Sequence, residues 1–396
     1  MEHVVLHKRE GYYVPWPQLA RLPDGRLAVG ITVSSASQHP AVGLLGDWMA
    51  LESTDDGRTW SETDDPTIPQ NWPAPTTREK EDRFAAVMPD GSYLCAGAIG
   101  WELWPVERLR DANERLWRYA KVGVTVGGEG KIVVGGQKLF AQRSTDGGKT
   151  WTRREWTVPA FRFLLSFSRG TQLADGTVLV PVYGTDTSGE DGRHDRDERT
   201  YVWRSADAGL TWRLYPLGAV LRGVHDNETA FLEVSPGRVM ALSRTQPENH
   251  DDAYLVQRWS EDGGVTWSLP LRTDIWGYPP HLMKLRDGRI LCTYGYRKEP
   301  MGIRAVLSGD GGETWDTDTV VVLRDDGGTA GQLNPNPAGG GADVGYPISA
   351  QLGDGSILSA YYITLSDGVT HSAATRWEPQ PVPRPPGPSL RSVRQH

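Results

Sequence analysis

The octet STDDGRTW, residues 53–60, sets the largest apolar side chain, Trp60, directly behind a polar turn. The pattern returns four more times, as STDGGKTW from Ser144, SADAGLTW from Ser205, SEDGGVTW from Ser260 and SGDGGETW from Ser308. In each copy a serine, an aspartate, a glycine and a Thr-Trp pair keep their places. A short polar side chain can hydrogen-bond its own turn backbone, and glycine can take positive φ where the chain reverses. The octet therefore reads as a structural turn whose tryptophan packs inward at the start of the next strand.

A second repeat precedes each octet: ARLPDGRLAVG, AVMPDGSYLCAG, TQLADGTVLVPV, LEVSPGRVMALS, MKLRDGRILCTYG and, last, AQLGDGSILSAYY. Each reads as two strands around a tight turn. Six hairpins, five of them followed by an octet, imply six four-stranded units. Such units cannot bury both faces alone and are stable when packed radially. The expected fold is all-β, a six-bladed β-propeller. Its last blade would be completed by the N-terminal strand HVVLHK, which closes the ring.

Composition agrees with this class. The chain has 396 residues, 38% of them hydrophobic, with 16 tryptophans and 46 glycines. We read residues 1–379 as one propeller domain and the proline-rich stretch 380–396 as a disordered tail. Forty-two basic against 50 acidic residues leave a net charge of -8 and no basic stripe, which excludes nucleic acid as a partner. Neither a membrane span nor a signal-like N-terminus is evident, so the expected location is cytoplasmic, with secretion still open if a leader was removed. Cys95 and Cys292 each follow a turn glycine by four residues on different repeats and read as free core thiols.

Strand direction then narrows the search for chemistry. If both sets of turns lie at one face, the opposite face gathers the inner-strand heads and the longer connections, where a rigid scaffold carries its site. The strand heads are Trp16, Asp82, Glu228, Tyr278 and Tyr346, and His39, His225 and His281 fall on the same face. No histidine pair has convincing metal-ligand spacing, so neither metal nor cofactor is expected. In blade 2, Val106, Leu109, Ala112, Leu116 and Ala120 follow helical spacing and predict a short helical insertion over the funnel.

The octets resemble the Asp box, or BNR repeat, of the sialidase superfamily, and the resemblance runs from about residue 12 to residue 377. It implies a tyrosine nucleophile at Tyr346, paired with Glu228 as its base. A neutral phenol suits a substrate whose carboxylate would repel an anionic nucleophile. Asp47, about six residues before the first octet, matches the family's acid/base, and Arg244 matches a carboxylate-binding arginine. Arg297 and Arg304 are candidates for a second. The first arginine of the family's triad is absent, since Pro15 and Trp16 stand in its place, and an aromatic there suggests stacking on a sugar face. The implied function is a retaining exo-glycoside hydrolase acting on a terminal, acidic sugar. The same residues also fit a lyase acting on a uronic-acid-containing glycan, or a glycan-binding module in which Trp16 and Trp48 stack sugars without turnover. Oligomeric state is not legible.

Overall fold

The computed structural model describes residues 1–35, 46–65, 67–68, 83–108, 122–126, 129–166, 169–186, 198–219, 224–247, 249–328 and 343–380. Six antiparallel sheets follow one another along the chain. Blade 1 pairs Gln18–Arg21, Leu27–Val33, Asp47–Ser53 and Ser61–Glu62 in order. Blade 4 does the same with Val224–Ser235, Arg238–Pro247, Tyr254–Ser260 and Leu271–Trp276. Blade 5 uses Pro280–Lys284, Ile290–Tyr296, Met301–Ser308 and Val321–Gly327. Blade 3 is built on Val178–Asp186, flanked by Glu198–Ser205 and by two inner segments, Phe161–Leu165 and Thr171–Gln172.

Blade 6 is the ring closure. Val344–Gln351, Ile357–Thr364 and Thr370–Trp377 accept Glu2–His7 as their fourth strand, with Glu2 opposite Arg376 and Val5 opposite Ala373. The second strand of each blade lies between two others and beneath the next blade, so it reads as nearly continuous apolar sequence; all seven residues of Leu27–Val33 are buried.

Neighbouring blades share cores. Leu94 and Leu139 of blade 2 pack with Val178 and Trp203 of blade 3, and Leu179 of blade 3 with Phe231 of blade 4. Met240 of blade 4 meets Val306 of blade 5, Leu291 of blade 5 meets Tyr361 of blade 6, and Leu358 of blade 6 meets Leu27 and Val29 of blade 1. Each fully buried leucine stabilises the ring by about 1.5–3 kcal/mol.

The octets form the turns their chemistry predicts. In the first, the Ser53 hydroxyl donates to Asp55 Oδ1 at 2.8 Å and accepts the Gly57 N–H at 2.9 Å, while Asp55 takes both the N–H and the hydroxyl of Thr59. The indole of Trp60 donates to the Gly57 carbonyl at 3.0 Å. These turns also dock on the preceding blade. A Cβ built on Gly209, at φ +82°, would stand 2.5 Å from Leu94 of blade 2, and one on Gly57 would stand 2.7 Å from Leu358 of blade 6.

Blade 2 departs from expectation. Its second and third strands, Tyr93–Pro105 and Glu129–Ser144, run on past the blade as a paired ribbon, with Val122–Val126 added at the side. Ile99–Leu103 alternates apolar residues with Gly100 and Glu102, which suits a continued strand. Of the predicted helical insertion, Val106–Arg108 forms one 3-10 turn, and Leu109, Ala112, Leu116 and Ala120 lie outside the described residues. Cys95 and Cys292 are free and buried, in blades 2 and 5.

Candidate functional site

Register identifies the two ends of each blade. In blade 1, Leu27 pairs with Ser53 beside the octet, whereas Val33 pairs with Asp47 at the opposite end. By the same logic Trp16, Asp47, Glu228, Arg244, Tyr278, Arg297 and Tyr346 all fall at the end away from the octets. His39 and Asp82 lie outside the described residues.

Two bulges aim the central pair. In blade 4, Asn227 pairs with Arg244 and Thr229 with Ser243, so Glu228 is the extra residue, at φ +20°. In blade 6 the pairing breaks between Gly345 and Ile348, and Tyr346 sits in the break at φ +49°. A bulge turns a side chain out of the ladder's alternation. Here the outcome is that the Tyr346 hydroxyl donates to Glu228 Oε1. Arg244, which ends the neighbouring strand, donates from Nη1 to the other oxygen, Oε2, at 2.6 Å. The Glu228 strand is pinned further by Asp226, in a 2.5 Å ion pair with the buried Arg258, and by Asn227, which donates to Glu198 Oε2 at 2.7 Å.

Electrostatics follow from this packing. Burial and the adjacent Glu228 charge push the Tyr346 phenol well above its ordinary pKa, so it is a neutral donor at physiological pH. Burial opposes the Arg244 charge, but the Glu228 carboxylate outweighs it and holds the guanidinium above its usual range.

Tyr278 ties two arginines together. The Arg244 guanidinium lies 4.3 Å from its ring centroid and that of Arg297 lies 5.1 Å away, on a ring only 3% exposed. Its hydroxyl meets His250 Nε2 at 2.6 Å. Arg297 donates from Nε to the Val344 carbonyl at 2.9 Å and from Nη2 to the Tyr362 hydroxyl at 3.3 Å. Tyr362 in turn donates to Asp343 Oδ1 at 2.7 Å, and Tyr13 donates to Asp343 Oδ2. Arg297, Tyr362, Asp343 and Tyr13 thus form one connected network beside the Tyr346–Glu228 pair.

Three sequence candidates stand elsewhere or differently. Arg304 donates to the carbonyls of Arg324 and Pro300 and lies over Tyr296, which commits it to the body of blade 5. Trp16 is 2% exposed and is no open platform for a sugar. Its φ of +54° turns the indole inward, edge-on to Tyr13 and Tyr346 at centroid distances of 6.2 and 6.3 Å, so it forms a wall behind the phenol. Trp48 packs its ring over Gly30, where a Cβ would come within 2.0 Å, and is half-buried. Asp47 is exposed at its strand head. His225 pairs with Gln246 at the head of blade 4, and His281 lies on the inner strand of blade 5.

Sequence reasoning missed Tyr13, His250, Asp343 and Tyr362. One signal was available: Asp343 stands three residues before Tyr346, and Tyr13 three before Trp16, the same offset from two strand heads.

A propeller whose octets fix one end and whose polar cluster occupies the other is a sialidase-type BNR propeller. A family model described as a BNR repeat-like domain matches residues 104–359, and the chain belongs to that family, within the sialidase superfamily. A sialidase of Bacteroides fragilis (strain YCH46) is 25% identical over 162 residues, 39% of this chain and 26% of that protein, so the chain spans about a quarter of its curated relative's length. A Dyadobacter fermentans DSM 18053 protein of unknown function is similar in structure, with a TM-score of 0.67 at 24% identity, covering 96% of this chain and 98% of that one. A point mutant of the NanB sialidase from Streptococcus pneumoniae matches with a TM-score of 0.58 at 13% identity, over 95% of this chain and 70% of its own. At these identities the structural matches speak to the fold.

Proposed function

We propose that this protein is a retaining exo-glycoside hydrolase acting on a terminal sugar that carries a carboxylate. The observation that carries the reading is the hydrogen bond from the Tyr346 hydroxyl to Glu228, whose second oxygen is held by Arg244 at 2.6 Å. In the first step the phenol oxygen attacks the anomeric carbon as its proton passes to Glu228. Asp47 donates a proton to the departing glycosidic oxygen. In the second step Asp47 takes a proton from water, the water oxygen displaces the tyrosyl ether, and Tyr346 recovers its proton from Glu228.

Two features support an anionic substrate. A nucleophile that stays neutral until the moment of attack avoids repelling a carboxylate, and the upward shift of Tyr346 keeps it neutral. Arg244 and Arg297, braced on one tyrosine ring, supply two adjoining guanidinium groups in a largely desolvated setting, where charge-assisted bonds are strong. With Trp16 in place of a third arginine, orientation of the carboxylate falls to these two.

The test is a panel of aryl glycosides, a sialoside among them, run beside uronic-acid polysaccharides. Release of aryl alcohol that Tyr346→Phe and Asp47→Asn each reduce, with the fold intact by circular dichroism, is the expected result. Full activity in both variants ends the proposal. An ultraviolet-absorbing unsaturated product from a polysaccharide would instead assign the site to a lyase.

A further inference from the structure

Arg297 is only 4% exposed, yet among the described residues no carboxylate forms an ion pair with it. Its partners are neutral. Nε donates to the Val344 carbonyl, Nη2 donates to the Tyr362 hydroxyl, and the guanidinium lies over the Tyr278 ring. Nη1 makes no hydrogen bond to a described residue. A negative charge stands one step further on, where Tyr362 donates to Asp343 Oδ1 at 2.7 Å.

Asp343 is itself firmly held. Its backbone carbonyl accepts both the N–H and the hydroxyl of Thr364, each at 3.0 Å, and Oδ2 accepts from the Tyr13 hydroxyl. Tyr13, Asp343 and Tyr362 are all buried. A carboxylate that takes two phenol protons acts purely as an acceptor, so the Tyr362 proton points to Asp343 and the oxygen lone pairs are left for Arg297. Burial and the Asp343 charge push the Tyr362 phenol well above its ordinary pKa, so it keeps the proton that it donates. The Tyr362 ring also packs beside the Tyr346 ring, with centroids 5.8 Å apart.

We propose that Asp343 is a positioning residue that acts through Tyr362, setting the Arg297 guanidinium for the substrate carboxylate without neutralising it. The inference rests on the reading of the site as one for an acidic sugar. A direct Asp–Arg ion pair would occupy the fork of donors that an incoming carboxylate needs. An intervening phenol supplies orientation and leaves Nη1 available to the sugar. Arg244 already gives its own Nη1 to Glu228, so recognition of the carboxylate leans on Arg297.

The test compares an aryl sialoside and an aryl glucuronide with the methyl ester of each, which removes the carboxylate charge. The unaltered protein should favour acid over ester in kcat/KM. Asp343→Ala and Tyr362→Phe should each cut that preference by about 10-fold or more, through a raised KM for the acid. A general loosening of the fold would instead slow acid and ester alike, and an undiminished preference in the folded variants would overturn the proposal. Crystals of Asp343→Ala give a second readout that needs no turnover. Arg297 Nη2 should part from the Tyr362 oxygen beyond hydrogen-bond reach, and a guanidinium that stays in place would overturn the relay on structure alone. Where D343A does not fold, Tyr362→Phe, which removes only an oxygen, takes its place, and the guanidinium should turn away from position 362. If the unaltered protein hydrolyses neither acid, the glycosidase reading fails and the crystals still decide the relay. If it hydrolyses an acid and the variants keep the full preference, the relay fails and the Tyr346–Glu228 reading stands.

Discussion

Glu228 and Tyr346 hold backbone conformations that L side chains avoid, and they hydrogen-bond to each other. Strain of this kind costs about 1–3 kcal/mol per residue and persists only where surrounding structure over-determines it. Here the bulges, the Asp226–Arg258 pair and Arg244 supply that constraint. Removing one group should therefore separate chemistry from stability. Tyr346→Phe deletes only the hydroxyl, and we expect turnover to fall by roughly 100-fold or more with Tm little changed, as read by steady-state kinetics and calorimetry. Arg244→Met leaves the buried Glu228 carboxylate unpaired and should cost about 3–5 kcal/mol in chemical denaturation. The double variant Glu228→Gln with Arg244→Met should recover part of that loss, because the pair is coupled; strictly additive losses would argue that the two side chains act separately. At this scale legibility was uneven. Tyr346 and Glu228 sit at a countable offset before a turn glycine, so periodicity reaches them, whereas Arg244 is reached only through the family resemblance. Asp343 and Tyr362 gain meaning only from Arg297 and Tyr13, and Tyr13 lies 330 residues away from Asp343 in the chain. Local pattern cannot report such meetings, and the same limit hid the burial of Trp16 and the separation of Arg304.

The octet turn shows what short sequence can specify by itself. In the first copy its hydrogen bonds all run within five residues, so composition and spacing suffice to predict it, although in the last copy the Trp315 indole donates instead to Gln257 of blade 4. The acidic residue is its weak point in acid. Asp55 is held at about 2 by the Thr59 hydroxyl and N–H and the Ser53 hydroxyl, against an ordinary value of 3.8, and Asp146 is held at about 2 by Thr150 and Ser144. A carboxylate with a depressed folded-state pKa stabilises fully above its unfolded value and loses that contribution as pH falls toward the folded one. Urea unfolding at pH 5 and pH 3 should thus show a loss of stability that Asp146→Asn reduces; an unchanged loss would remove these turns from the acid response. Glycine gives a second contrast. Gly209→Ala drives a Cβ into Leu94 at positive φ and should cost about 1–3 kcal/mol for overpacking beyond the backbone penalty. Gly147→Ala, at φ +71° with open space around it, should carry only the backbone penalty. What the octets could not foretell is the blade 2 ribbon, because its alternating residues look equally at home in an ordinary blade strand.

At the level of the molecule, six blades were readable because each carries its own hairpin, and the closure was readable because one octet was missing. Truncation of residues 1–7 should lower Tm by about 3–6 °C, since it exposes the core facing Leu6 and leaves the edge of Thr370–Trp377 unpaired. Light scattering should rise at the same time. A truncated protein that melts like the intact one would show that the fourth strand of blade 6 adds little.

That closure also has a consequence in time. His3 meets Thr375, a partner 372 residues downstream, so at ordinary elongation rates the early strand waits on the order of 20 to 75 s on the ribosome before its complement is made. Through that interval five blades can assemble while the ring stays open, and a nascent-chain chaperone or a neighbouring nascent copy could occupy the vacant edge first. The latch that secures the finished disc is the last piece of it to be born complete.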